Sequence, residues 1–247
     1  MEKILVSGCS ISYGSGFPLE KNEPTLWPNR LATLLGAEVT NVSVPGYDNQ
    51  GIFLNAVTEL LTKKYDLILV QLTGFDRIVL TPNMHQQVPM ANITPNFLHK
   101  IISNMHIAQF SQDQLSLFIK IYLELNGKYE HWQRLFKIIC SLQQLKKQGY
   151  NIHIINGLLD WNHDFFTNRD SQYAKQIINY DSLPDNDIEV GLIQLQQQIK
   201  EIDLSLWISP FENFVKLQVD TAPLDGHPGS SSHKIYTNLI LNKLTSL

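Results

Sequence analysis

Residues 3–16 read KILVSGCSISYGSG, and this stretch decides the fold. Residues 4–6 are apolar and partly β-branched, as expected of a buried strand, and the glycines and serines that follow end that strand in a loop. In an α/β sheet such a loop lies beyond the carboxyl end of the first strand, where ligands bind. Two uses of the loop remain open: Ser10 can act as a nucleophile, or the amides and hydroxyls of residues 7–15 can hold an anion.

The rest of the chain alternates helical and strand patterns. The order βαβαβ at the start predicts a parallel sheet with right-handed crossovers, so the loops after the strands converge on one edge. We therefore predict a three-layer α/β domain of flavodoxin-like type with a five-stranded parallel sheet. The patterns place helices at residues 25–36, 52–64, 130–148, 188–202 and 232–244, and the strands after the first at 39–44, 66–73, 151–157 and, more weakly, 204–208.

The regular alternation lapses between residues 78 and 126. Prolines at positions 82, 89 and 95 suggest that residues 78–95 are irregular, and the remainder reads as at least one helix. We interpret about 78–126 as an insertion over the same sheet edge. It can cap the site, or it can simply extend the core.

The composition indicates one ordinary globular domain over residues 1–247. The chain is 43% hydrophobic and 17% charged, and its net charge of −4 gives no sign of a nucleic-acid surface. Cys9 and Cys140 are the only cysteines, too few for a disulfide framework or a thiolate metal site, which favours a reducing compartment. Residues 4–6 are too short for a signal-peptide core, and no stretch approaches the ~20 apolar residues of a membrane helix. We expect a soluble, cytoplasmic protein without a membrane span.

Segments far apart in the sequence supply the parts of a serine nucleophile site. A serine attacks a carbonyl only when a base removes its proton and donors stabilise the oxyanion. Ser10 follows the first strand, Gly46 offers an amide after the second, and residues 74–77 follow the third. Near the end of the chain, His227 can serve as the base and Asp225 can hold its ring in the required tautomer.

These segments resemble the sequence blocks of the SGNH/GDSL hydrolases. Gly8-Cys9-Ser10 is similar to the first block, with Cys in place of Asp. Residues 41–49, reading NVSVPGYDN, are similar to the second block, and residues 225–228, reading DGHP, to the last. The resemblance implies the flavodoxin-like SGNH fold and a serine esterase that uses Ser10, Asp225 and His227. It also implies an oxyanion hole built from the Ser10 and Gly46 amides, with no metal and no organic cofactor.

The sequence departs from the family pattern at two positions. Asp76 stands where the third block usually has an Asn that donates to the oxyanion, and an ionised carboxylate would oppose that charge. The side-chain part of the hole can then come from Arg77, from Asn49 or from neither. In the last block the Asp usually lies three residues before the His, but Asp225 lies two before His227. Unless the local backbone compensates, His227 works with Ser10 alone.

Other residues can also contribute to the site. Asn49, Arg77 and Trp161 are predicted to contact substrate, although Trp161 and Trp207 also suit a core. His233 is either the base or a residue in the first turn of the last helix, and His163 lacks enough neighbouring ligands for a metal.

The leading prediction is a serine hydrolase that cleaves an acyl or acetyl ester of a small molecule, a glycan or a lipid. The same acyl-enzyme would also serve an acyltransferase. A non-catalytic module that binds a glycan or an anion on this fold is a further alternative. A flavodoxin-like mononucleotide binder is disfavoured because the first loop carries the bulky Ile11 and Tyr13.

Overall fold

A parallel four-stranded sheet forms the centre of the protein. The computed structural model describes residues 2–74, 78–83, 86–90, 128–159, 161, 163–168, 171–178 and 185–246. The order of the strands in the sheet is β2-β1-β3-β6, and every neighbouring pair is parallel. The sheet strands are β1 (Lys3–Ser7), β2 (Glu38–Asn41), β3 (Leu67–Leu72) and β6 (Ile152–Asn156).

Helices cover both faces of this sheet, so the domain has the predicted three layers. One face packs against α2 and α8, and the other packs chiefly against α3, α4, α6 and α7. The helices are α1 (Ser10–Tyr13), α2 (Trp27–Leu35), α3 (Asn49–Leu60), α4 (Lys128–Lys147), α5 (His163–Thr167), α6 (Gln172–Ile178), α7 (Asp185–Lys200) and α8 (Ser230–Thr245). None of the described helices has the length and the apolar character that crossing a bilayer requires.

The alternation of side chains along the strands separates two apolar clusters. In β1, Ile4 and Val6 face the α2/α8 side, whereas Leu5 faces the opposite side. β3 is buried along its whole length, as expected of a central strand covered on both faces. The first strand therefore lies between two other strands with both faces packed, and this buried strand supports the residues that follow it.

The predicted fifth strand at 204–208 is wrong in part. Residues Leu204–Leu206 form a single 3₁₀ turn, because the Asp203 carboxylate accepts hydrogen bonds from the amide and the hydroxyl of Ser205. Beyond this turn the chain still runs beside β6: Trp207 forms an isolated parallel bridge with Ile154, and Ile208 N donates to the Ile154 carbonyl at 2.9 Å. The fifth position is thus occupied by one bridge rather than by a strand.

The start of the predicted insertion is regular rather than irregular. β4 (Ile78–Asn83) and β5 (Gln86–Met90) form an antiparallel pair separate from the main sheet. The prolines that argued against strands are tolerated because both strands of a two-stranded ribbon are edges. The helix predicted for the remainder of the insertion falls on residues 91–127, which lie outside the described residues.

Candidate functional site

Ser10 lies directly beyond the carboxyl end of β1, at the first position of α1. We call residues 8–16 the Ser10 loop. Ser10 is half-buried, while Cys9 before it is completely buried and packs in the core. The amides of Gly14 and Ser15 both donate to the Ser10 carbonyl at 3.0 Å and close the short helix. The loop therefore projects a serine from a backbone that is fixed on both sides.

The Gly46 turn lies against the same loop. The amide of Val44 donates to the Gly8 carbonyl at 3.1 Å, which joins the segment after β2 to the start of the Ser10 loop. Gly46 has a φ of 76°, a left-handed conformation that glycine adopts readily. No described residue accepts a hydrogen bond from the Gly46 amide. The structure thus brings together two of the three strand ends that the sequence predicted to meet.

Asp225 contacts His227 directly, despite the shortened spacing between them. Asp225 Oδ2 lies 2.8 Å from His227 Nδ1, and Asp225 Oδ1 accepts from the His227 amide at 2.8 Å. The imidazole is 35% exposed, and its Nε2 hydrogen-bonds to none of the described residues. A carboxylate on Nδ1 selects the tautomer in which that nitrogen carries the proton, which leaves Nε2 free to act as a base.

The residues around this pair form a closed loop, which we call the His227 loop (residues 220–229). An antiparallel bridge between Thr221 and Pro228 closes it, and the Ala222 amide donates to the His227 carbonyl at 2.7 Å. At its base the Asp220 carboxylate accepts from the amides of Ser231 and Ser232, both at 2.8 Å. Burial opposes ionisation of Asp220, but the hydrogen bonds from Ser232 and Ser231 outweigh it and hold its pKa at about 2.

Gly16 joins the two loops. The Leu224 amide donates to the Gly16 carbonyl at 3.0 Å. A methyl group on Gly16 would overlap the Asp225 carboxylate and would lie 2.8 Å from the Ala222 side chain. Residues at opposite ends of the sequence are therefore packed together, as the serine nucleophile prediction requires.

The Ser10 hydroxyl forms no hydrogen bond with His227 or His233 in the part of the chain that the structure describes. His233 is 1% exposed and lies in the first turn of α8, where its Nδ1 accepts from the Trp27 amide at 3.3 Å. Burial, aided by the Arg30 charge, lowers the pKa of His233 to about 4. His233 is thus a structural residue, and His227 is the histidine available to a substrate.

Two predicted substrate contacts need correction. The Asn49 side chain accepts from the Thr73 amide at 2.7 Å and donates to the Thr73 and Gly74 carbonyls at 3.1 and 3.4 Å. Its amide joins the start of α3 to the end of β3 and is not available to an oxyanion or a substrate. Trp161 is 1% exposed and packs edge-on against Trp132 and Trp207, so its ring faces are covered by core side chains.

A cavity opens beside the Gly46 turn. It lies between the start of α3 and the first half of α4, and its volume of about 20 Å³ leaves room for little more than a water molecule. Polar and apolar side chains both line it: Asp48, Asn49, Gln50, His131, Arg134, Leu135 and Ile138.

Several predicted site residues lie outside the described residues. Asp76 and Arg77 are among them, so the third contribution to the oxyanion hole stays a prediction. Asp160, considered with His163 and Asp164, is also outside them. Among the residues described, no three His, Cys, Asp or Glu side chains are grouped so that they could hold a metal ion.

Sequence reasoning missed residues that support the site. Gln71 is completely buried beneath the Ser10 loop, and Asp220 holds the base of the His227 loop. Gln71 carried a signal, because it is the one polar residue in the otherwise apolar LILVQL strand. Asp220 carried none, because its partners Ser231 and Ser232 lie on the far side of the loop.

No family model matches the chain, and a search of curated proteins also gave no match. Solved structures are similar to it at low identity. TesA is 13% identical with a TM-score of 0.48, covering 99% of both chains. A member of the lipolytic protein G-D-S-L family from Veillonella parvula DSM 2008 is 14% identical with a TM-score of 0.46, covering 100% of both chains. The acetyl xylan esterase AlAXEase is 10% identical with a TM-score of 0.42, covering 97% of this chain and 98% of its own.

Proposed function

We propose that this protein is a serine hydrolase that cleaves ester bonds through an acyl-enzyme on Ser10. The observation that carries the proposal is the 2.8 Å contact between Asp225 and His227, in a loop that Gly16 joins to the Ser10 loop. Nucleophilic catalysis needs an oriented, accessible imidazole near a serine, and here such an imidazole stands in a loop joined to the loop of a serine at a strand end.

In the proposed reaction Ser10 Oγ attacks the ester carbonyl and His227 Nε2 accepts the serine proton. Asp225 keeps His227 Nδ1 protonated and stabilises the imidazolium that forms. His227 then protonates the leaving alkoxide, and a water molecule activated by the same nitrogen releases the acid from Ser10. The hydrogen bond between Ser10 and His227 forms in the substrate complex, because catalytic hydrogen bonds commonly tighten only there.

The developing oxyanion would be held by the amides of Ser10 and Gly46. The Ser10 amide belongs to the first residue of α1, and the first amides of a helix lack partners within it. The Gly46 turn lies against the start of the Ser10 loop through the bond between Val44 and Gly8. We propose a small-molecule, glycan or lipid ester as the substrate, with water as the acceptor.

The proposal is tested with a fluorophosphonate probe, which phosphonylates active serines, and with p-nitrophenyl acetate. We expect the probe to label Ser10 and the Ser10→Ala variant to lose both labelling and ester cleavage. Ser15→Ala, in the same loop, is the matched control and should retain both. Cleavage that persists in Ser10→Ala would rule out the assignment, and transfer of the acyl group to an added alcohol in preference to water would identify an acyltransferase.

A non-catalytic binding module is the second candidate, favoured by the missing hydrogen bond between Ser10 and His227. In that case the loops would hold a glycan or an anion without turnover. Neither probe labelling nor ester cleavage would then be observed in the unmodified protein, whereas calorimetry with acetylated oligosaccharides or inorganic phosphate would detect binding that Ser10→Ala weakens.

A further inference from the structure

Gln71 places a polar amide in the middle of the sheet, directly beneath the Ser10 loop. It is completely buried near the end of β3, where the other residues of the strand are apolar. A buried amide is costly unless its donors and acceptor are satisfied, so its partners indicate what it does. We propose that Gln71 is a positioning residue that fixes the orientation of Ser10. This inference rests on the proposed serine hydrolase function.

The two hydrogen bonds of Gln71 lie on either side of the nucleophile. Its Oε1 accepts from Ser12 Oγ, and its Nε2 donates to Cys9 Sγ at 3.3 Å. Cys9 precedes Ser10 by one residue, and Ser12 follows it by two. The amide therefore holds α1 from below at both ends of its first turn and acts on Ser10 through its neighbours.

Two glycines leave the space that the Gln71 side chain occupies. A methyl group on Gly8, after β1, would lie 2.7 Å from Gln71 Oε1 and 2.8 Å from Ser12 Oγ. A methyl group on Gly157, after β6, would overlap the Gln71 amide and lie 2.6 Å from the Leu72 carbonyl. The chain segments after β1 and β6, the two strands that flank β3, thus both have a glycine where the Gln71 side chain lies. The backbone around these glycines leaves the Gln71 amide little room to rotate.

α1 has few other contacts that could hold it in place. It is four residues long, and its N-cap Cys9 makes no side-chain capping hydrogen bond. One other side chain binds its backbone: Asn41 Nδ2 donates to the Ser12 carbonyl at 2.7 Å. A helix this short is not stable by itself, so the direction of Ser10 depends on these two amides together with Ile11, which packs into the core on the α2/α8 side. Displacing a reacting group by about 1 Å can cost a factor of roughly 100 in rate.

The test replaces Gln71 by methionine, which keeps the length of the side chain and removes both hydrogen bonds. We expect Gln71→Met to slow phosphonylation of Ser10 and to lower kcat by about 10- to 100-fold while KM changes less than about twofold. Gln143→Met is the matched control. Gln143 also makes two hydrogen bonds, to the Glu201 carbonyl at 3.0 Å and from the Asp203 amide at 2.9 Å, but it lies on α4. It should keep the labelling rate of the unmodified protein.

A double variant separates positioning from mere stability. Gln71→Met leaves the Ser12 hydroxyl buried without its acceptor, and adding Ser12→Ala removes that unsatisfied group. We expect the double variant to regain melting temperature relative to Gln71→Met, while Ser10 labelling stays about 10-fold or more slower than in the unmodified protein. Recovery of the labelling rate together with the melting temperature would mean that Gln71 only stabilises the fold.

Hydrogen exchange provides a measurement that does not depend on activity. The amides of Tyr13 and Gly14, which donate to the Cys9 and Ser10 carbonyls, should exchange at least about 10-fold faster in Gln71→Met than in Gln143→Met. Unchanged exchange, or unchanged labelling of Ser10, overturns the inference about Gln71. If the unmodified protein is neither labelled nor active but its exchange responds to Gln71→Met, the hydrolase proposal fails and Gln71 still holds α1.

Discussion

The Ser10 loop and the His227 loop are held in opposite ways. The Ser10 loop is fixed from within the core, since its own residues Cys9 and Ser12 are completely buried and both bind the buried Gln71 side chain beneath the loop. The His227 loop is fixed at its base, where Asp220 binds the first turn of α8, and its tip is open: Asp225 and His227 are 40% and 35% exposed. Ser10 therefore has a buried support, whereas His227 lies on an exposed loop that relies on few contacts.

This difference bears on how the proposed site could close, because the two loops meet at Gly16 but Ser10 and His227 share no hydrogen bond among the described residues. Adjusting the tip of the His227 loop breaks few buried contacts, whereas moving Ser10 would disrupt the core. We expect the imidazole, rather than the serine, to shift when a substrate binds. Gly16 is the contact that limits this shift, because its carbonyl holds the Leu224 amide at 3.0 Å.

The largest effect should come from removing the charge that orients the base. In Asp225→Asn the new amide would donate to His227 Nδ1, so Nε2 would carry the proton and could not accept one from Ser10. We expect kcat/KM for p-nitrophenyl acetate to fall by roughly 10²- to 10⁴-fold, the range typical of a lost general base.

Asp203→Asn is the control for this variant, because Asp203 also uses its carboxylate to bind a neighbouring amide, that of Ser205, in a turn outside the two site loops. It should keep full activity. Activity near the unmodified level in Asp225→Asn would show that His227 works with Ser10 without help from a carboxylate.

A smaller effect should follow from filling the contact between the two loops. Gly16 and Gly36 both have left-handed backbones, with φ of 86° and 62°, so alanine is strained at either position. Only at Gly16 does a methyl group meet the Asp225 carboxylate, while nothing lies within 4 Å at Gly36. We expect Gly16→Ala to lower kcat/KM by about 10- to 100-fold, and Gly36→Ala to leave it unchanged.

The stability of both glycine variants serves as the internal check. Gly36→Ala should lose about 1–2 kcal/mol of unfolding free energy, measured by urea denaturation, because its left-handed backbone is strained, and Gly16→Ala should lose at least as much because its methyl group also meets Asp225 and Ala222. Equal activities in the two variants would show that the contact between Gly16 and Asp225 does not position the base.

The fold could be predicted from the sequence wherever periodicity was strong. The apolar runs that became β1 and β3, set in the order βαβαβ, predicted the parallel sheet and its layers. Prediction failed at 204–208, where the Asp203 carboxylate competes with strand pairing by binding Ser205. It also failed at 78–90, where prolines were read as breakers although an isolated two-stranded ribbon tolerates them.

The residues proposed for the site stand in loops whose sequence patterns are recognisable, whereas residues that support those loops from a distance gave little signal. Ser10, Gly46 and His227 stand in loops with recognisable glycine, proline and serine patterns. Asn49 and Trp161 were misassigned because residue type does not show whether a side chain is exposed. The Asn49 amide binds the Thr73 backbone, and the Trp161 indole lies among the aromatic rings of the core. The roles of Gly16 and Asp220 come from contacts with residues elsewhere in the chain. The sequence around each residue does not reveal these contacts.

The smallest effect should come from weakening the base of the His227 loop. In Asp220 the two carboxylate oxygens accept from the Ser231 and Ser232 amides. Asp220→Asn replaces one of these oxygens by an NH₂ group, so one backbone donor would face another donor and lose its hydrogen bond. We expect a loss of about 1–3 kcal/mol in unfolding free energy at pH 7 and a decrease of only a few-fold in kcat/KM, since Asp225 and His227 keep their own contact. The stability difference should disappear in acid: hydrogen bonds hold the pKa of Asp220 at about 2, below its ordinary value, so the stabilisation is present above pH 4 and is lost as the pH falls toward 2. A constant difference between pH 7 and pH 2 would show that the Asp220 charge is not what holds the loop.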